Sequence, residues 1–168
     1  MLSILIPTFN YNALPLAKIL ESQALKLGIV FELICMDDGS FSNKNRHNQH
    51  INSLSHSKFI EHKKNVGSKA NRGRLATLAQ YNWLLFIDAD SKPKSTLFLS
   101  KYIDMCDRPF DAIFGGFAYD STLKDPKPFW AKNISLVLGQ NTTPKLGILF
   151  SIREILMVKS LFFFINSL

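Results

Sequence analysis

Two aspartates one residue apart, Asp88 and Asp90, end an apolar run in 84-LLFIDADSKP-93. A carboxylate at the end of a buried segment has lost part of its hydration and needs a compensating positive charge. Three more polar groups follow apolar runs in the same way: Pro7-Thr8-Phe9-Asn10, Asp37-Asp38-Gly39-Ser40 and His62-Lys63-Lys64-Asn65-Val66-Gly67. From Phe41 to Arg74 the chain holds eight Lys or Arg, all four His and one acid, Glu61. Carboxylates beside dense positive charge suit a nucleoside diphosphate held together with a hard cation. Asp37 or Asp38 can accept hydrogen bonds from a base N–H or a ribose hydroxyl. Asp90 can ligate Mg2+ or Mn2+, which takes one or two carboxylates plus substrate phosphates. Arg72 can grip phosphate with a planar fork that lysine lacks.

Such residues meet only if the chain positions them. Apolar runs predict strands at Leu2 to Ile6, ended by Pro7, at Ile29 to Met36, Lys58 to Glu61, Asn82 to Ile87 and Asp111 to Tyr119. Helical spacing predicts helices at Leu14 to Leu27, stopped by Gly28, at Gly67 to Gln80, and at Ser95 to Cys106, capped by Ser95. Ala70, Leu75, Ala76, Leu78 and Ala79 are the expected core contacts of the Gly67 helix. Ser42 to Leu54 is polar and weakly helical. Strands alternating with helices imply parallel pairing through right-handed crossovers. Continuous apolar strands imply helices on both faces. In such a sheet ligands bind beyond the carboxyl ends of the strands, where all the polar groups above fall.

Length and composition narrow the alternatives. The chain has 168 residues, enough for one domain with a real core, and 46% of them are hydrophobic. The net charge of +7 favours an anionic partner. Two observations argue against nucleic acid: without a metal the acidic strand ends repel phosphates, and no helix-turn-helix, RNA-recognition or zinc-finger pattern occurs. A dehydrogenase lacks its G-x-G-x-x-G after the first strand, where Pro7 occupies the turn. Cys35 and Cys106 are expected as free thiols. His47 and His50, without a Cys or acidic partner nearby, read as a polar surface. The start of the chain carries no basic segment before its apolar run and is not expected to be a signal peptide. The sequons at Asn133 and Asn141 are then chance. No uncharged apolar run is long enough to span a membrane.

The segments SILIPTFNYN, MDDGS and NVGSKANRGRLATLAQYNWLLFIDAD resemble, in order and spacing, the N-terminal half of family 2 glycosyltransferases over roughly Met1 to Tyr119. The resemblance implies an α/β, Rossmann-like GT-A fold: a mostly parallel central sheet flanked by helices. It implies sugar transfer from a nucleoside diphosphate sugar, a UDP-sugar by expectation, to an acceptor hydroxyl on a glycan or lipid-linked acceptor, with inversion and with Mg2+ or Mn2+. Pro7 and Thr8, with Asn10, fall on the first nucleotide-contact loop. Asp37 and Asp38 match the acidic pair at base and ribose. Arg72 matches an Arg in an A-x-x-R-N-like helix. Asp88 and Asp90 match D-x-D, with Asp90 on the metal and Asp88 nearer the ribose.

Two departures stand out. Gly73 replaces the usual Asn. After Asp125 the one acid is Glu154, so no catalytic base of the family's Glu-Asp type is identifiable. The expectation is a single nucleotide-sugar-binding domain over 1–168, incomplete at its C-terminus, with the acceptor and base part after about 120 degenerate or missing. SIREILMVKSLFFFINSL then resembles the next strand and the start of a helix. The alternative to an active transferase is a fragment that binds nucleotide sugar without turnover. Phe129-Trp130 serves either acceptor stacking or core. Leu161 to Ile165 is core of a longer domain or an exposed apolar patch. The expected location is cytoplasmic, at the inner face of the membrane through basic residues.

Overall fold

A computed structural model describes residues 1–109, 111–115 and the backbone of 156–159. The chain runs β1 (Leu2–Thr8), α1 (Leu14–Leu27), β2 (Phe31–Asp37), α2 (Asn45–Asn48) continued by a 3-10 turn (Gln49–Ser53), β3 (Ser57–Glu61), α3 (Ser68–Leu78), β4 (Trp83–Phe86), α4 (Phe98–Cys106), β5 (Ala112–Phe114) and β6 (Leu156–Lys159). Among the described residues one six-stranded sheet has the order β3-β2-β1-β4-β6-β5. β3, β2, β1 and β4 are mutually parallel, while β6 runs antiparallel to both β4 and β5.

Strict alternation along the strands builds two cores. Leu2, Ile4 and Ile6 of β1, with Leu33 and Cys35 of β2, face α1 and α4; Leu5, Ile34, Met36, Leu84 and Phe86 face Leu75 and Ala76 of α3. Side chains of successive strand residues point to opposite faces, so continuous apolar runs fill both sides at once. α1 has Pro15 in its first turn and Gly28 at φ 63 beyond its last, the conformation in which glycine ends helices at least cost. The predicted boundaries of α1 are met.

Several expectations are corrected. β1 continues through Pro7 to Thr8, with Pro7 opposite Met36 of β2. Asp38 N donates to Thr8 O and Ile87 N donates to Leu5 O, so even-numbered β1 residues turn their backbone groups to β2 and odd-numbered ones to β4. Pro7, which has no N–H, therefore faces β4 just where that ladder ends at Phe86, and nothing is lost there. α4 begins at Phe98, not Ser95. The Ser95 hydroxyl accepts from Leu97 N and its carbonyl from Phe98 N, forming a turn ahead of the helix. On α3, Ala70 and Leu78 are exposed, and the buried positions are Asn71, Leu75 and Ala76. Among the described residues the fifth strand is Ala112–Phe114, the predicted stretch from 116 to 119 lying outside them, and it pairs antiparallel, because β6, from within the predicted C-terminal strand region, intervenes. Cys35 and Cys106 are free thiols. No helix among the described residues is long and apolar enough to cross a membrane. Phe129-Trp130, both sequons, Asp125, Glu154 and Leu161 to Ile165 lie outside the described residues.

Candidate nucleotide site at the carboxyl edge of the sheet

Because β2, β1 and β4 are parallel neighbours, their carboxyl ends open onto one edge. Thr8 sits in register with Asp37, so the loop after β1 lies between the Asp37-Asp38 pair and Asp88-Ala89-Asp90. At the interstrand spacing of sheets, the ends of β2 and β4 stand roughly 10 Å apart.

Internal hydrogen bonds organise both members of the first acidic pair. Asp37 is buried and accepts from Ser40 N at 2.8 Å and Ser40 Oγ at 2.7 Å. Asp38 is also buried, and reaches across to the β3–α3 loop: its carboxylate accepts from Val66 N at 2.8 Å and Gly67 N at 2.9 Å. These are charge-assisted bonds, the stronger kind. They also mean that the amides of Val66 and Gly67, just ahead of α3, face Asp38. Gly39 carries a left-handed φ of 66. A Cβ there would lie 2.4 Å from the Lys64 carbonyl carbon and 2.6 Å from Asn65 N. The turn that Asp38-Gly39 suggests is thus also a point of backbone contact between two loops.

The loop after β1 is tied down from the other side. Asn48 is fully buried; its Oδ1 accepts from Ala13 N at 2.8 Å and its Nδ2 donates to Tyr11 O at 2.9 Å. Asn10, at φ 51, accepts from Ser42 Oγ through its side chain and from Lys44 Nζ through its carbonyl. Lys44 also lies over the Tyr11 ring, a cation–π contact. Phe9, Tyr11 and Phe41 remain exposed around this junction.

On the β4 side, Arg72 of α3 forms an ion pair with Asp88, while its second terminal nitrogen donates to Ser68 Oγ one turn back. Asp90 is exposed and Ala89 buried beside it. The sequence-predicted residues Arg72 and Asp88 are therefore in direct contact. Lys44, Lys63, Lys64 and Lys69 are exposed on the same loops and the start of α3, leaving that edge basic outside and acidic at the strand tips. His47 and His50 are exposed, as expected of a polar surface.

Among the described residues no three His, Cys, Asp or Glu groups converge as a metal cage. Two carboxylates at a strand end do fit a hard cation that completes its shell with substrate phosphates. Cys35 cannot serve as a nucleophile here: burial, and next the charge of Asp37, push its thiol far above the usual thiol range.

Three organising side chains gave little sequence signal. Asn48, Asn71 and Gln23 are buried amides whose partners lie 35 or more residues away. Asn71 Nδ2 donates to Met36 O at 3.1 Å, anchoring α3 to β2. Gln23 accepts from Leu99 N and donates to Ser95 O, joining α1 to the start of α4. The signal that could have located Gln23 and Asn71 was a polar residue on an otherwise apolar helix face; Asn48, in the all-polar α2, offered none.

An α/β sheet of this topology binds its ligands beyond the carboxyl ends of its strands, where the acidic groups lie. The chain belongs to Glycosyl transferase family 2, whose family model matches residues 3–165. Among solved structures it is similar to the 1–349 portion of S. aureus TarS, at 17% identity and a TM-score of 0.59, covering 99% of this chain and 49% of that one. The same TarS portion in complex with UDP-GlcNAc gives 17% identity, a TM-score of 0.58, and 99% and 47% coverage. Its complex with UDP gives 18% identity, a TM-score of 0.58, and 99% and 48% coverage. This chain thus spans about half the length of these structures, and the likeness establishes the GT-A-type fold. No curated protein matches the chain.

Proposed function

We propose that this chain carries the donor-nucleotide part of an inverting glycosyltransferase that moves a sugar from a nucleoside diphosphate sugar, a UDP-sugar, to an acceptor hydroxyl on a glycan or lipid-linked acceptor, in cell-surface polysaccharide or glycan synthesis. The observation that carries the reading is the meeting of Asp37-Asp38, Pro7-Thr8, Arg72 and Asp88-Ala89-Asp90 at one sheet edge. Family membership supports the reaction class. The TarS complexes with UDP-GlcNAc and UDP support a uridine donor.

In this reading Pro7, Thr8, Asn10 and the Asp37-Asp38 end of β2 hold the nucleoside, and Asp88 lies toward the ribose. The roughly 10 Å from β2 to β4 lets the diphosphate extend toward Asp90. Asp90, with Asp88, would hold Mg2+ or Mn2+, whose chemistry is to neutralise charge on the departing diphosphate. Arg72 supplies a second, fixed positive charge to the same leaving group. The base that takes the acceptor proton is not assigned to a residue of this chain. The basic exposed loops suit a site on the cytoplasmic face of an anionic membrane.

Calorimetric titration of UDP and GDP, with and without Mn2+, on wild type and Asp90→Ala tests the reading. UDP binding strengthened by Mn2+, with that gain lost in Asp90→Ala, is expected. Absence of nucleotide binding under every condition would refute it. Binding without sugar turnover would favour the second reading, a nucleotide-sugar-binding fragment.

A further inference from the structure

We infer that Arg72 guards Asp88 against a divalent cation until a diphosphate arrives, so that nucleotide binding precedes cation binding. The inference rests on the nucleotide-site reading above and concerns the order in which that site fills.

Three observations carry it. First, the guanidinium of Arg72 already occupies Asp88, and the two side chains are 30% and 18% exposed. The pair is shielded enough from water for its charges to be felt more strongly than on an open surface. Second, the guanidinium is aimed and not loosely tethered, because its other terminal nitrogen is held by Ser68 Oγ within α3. Third, no third His, Cys, Asp or Glu joins Asp88 and Asp90 among the described residues. A cation approaching this edge alone meets one carboxylate already neutralised and a fixed positive charge beside it.

A diphosphate changes that balance. Its oxygens accept a forked guanidinium as well as a carboxylate does. Arg72 can turn from Asp88 to phosphate, which frees a carboxylate oxygen while the phosphates provide further oxygen ligands. No covalent bond changes; one ion pair is exchanged for another. By linkage, whatever factor the nucleotide adds to cation affinity, the cation adds to nucleotide affinity.

The test is Mn2+ binding followed by the paramagnetic resonance of free Mn2+, with and without UDP, on wild type, Arg72→Gln, Arg72→Lys and the double variant Arg72→Gln/Asp88→Asn. Circular dichroism of each variant confirms that it is folded. In wild type, UDP is expected to raise Mn2+ affinity by about tenfold or more, within the usual range of such couplings. Arg72→Gln without nucleotide should bind Mn2+ about tenfold tighter than wild type. Arg72→Lys, which keeps the charge, should stay weak, and the double variant should lose the gain of Arg72→Gln. If UDP binds but Arg72→Gln leaves nucleotide-free Mn2+ affinity unchanged, the guarding role is overturned while the nucleotide site stands. If wild type binds no UDP at any Mn2+ concentration, the nucleotide site itself is refuted, and the inference with it.

Discussion

Replacing Gly39 with alanine should loosen the contact that sets the start of α3. The added Cβ would sit 2.4 Å from the Lys64 carbonyl carbon, 2.6 Å from Asn65 N and 2.8 Å from Lys64 O. Carbon contacts are comfortable at about 3.5–4.0 Å, so the Lys64–Asn65 peptide must retreat by about 1 Å. All three obstructing atoms are backbone, so no flexible side chain can yield instead. The next two amides, Val66 and Gly67, are held by Asp38 at 2.8 and 2.9 Å, and a retreat of that size breaks or bends both bonds. Alanine at the left-handed φ of 66 costs about 1 kcal/mol against glycine. Overpacking adds about 1–3 kcal/mol. The sum, about 2–4 kcal/mol, is a large share of a typical stability of about 5–15 kcal/mol. Urea unfolding followed by circular dichroism measures it directly. Hydrogen exchange at Val66 and Gly67 should show lost protection in the same variant. A loss below about 0.5 kcal/mol, the usual size of surface substitutions, would refute the reasoning.

Asp38→Asn should destabilise by about 1.5–3 kcal/mol, because an amide nitrogen then opposes one of two backbone N–H donors; urea midpoints report it. Asn48→Ala, which leaves Ala13 N and Tyr11 O without their buried partner, should cost about 1–3 kcal/mol and accelerate proteolysis in the 9–13 loop. Gln23→Ala should destabilise by a similar amount, about 1–3 kcal/mol, with increased hydrogen exchange at Leu99. Stability should also fall in alkali. Burial raises the Cys35 thiol well above its ordinary 9.0 and moves Tyr102 from 10.0 to about 12. From 9.0 upward the unfolded chain releases these protons while the folded chain keeps them, so stability is full below 9.0 and declines as pH rises toward about 12. Urea midpoints across that range should fall less in Cys35→Ala than in wild type.

The alternation of strands with helices, the bounds of α1 and the placement of acidic groups at strand ends were legible from residue order, because each depends on local periodicity and on punctuation such as Gly28. So was the polar character of Ser42 to Leu54, which became α2 and the 3-10 turn after it. The place of β6 was not. A strand at 156–159 that inserts between β4 and β5 is a pairing across some seventy residues of sequence, and nothing within its own four residues specifies its neighbours. The same limit applies within the site. MDDGS marks two carboxylates at a strand end, but only the folded backbone brings Val66 and Gly67 to Asp38 and Arg72 to Asp88. Residue types determined which charges this protein has and roughly where along the chain they stand. Tertiary structure decided which of them neutralise one another, because hydrogen bonds and ion pairs act over a few ångströms of space and not over positions in a sequence.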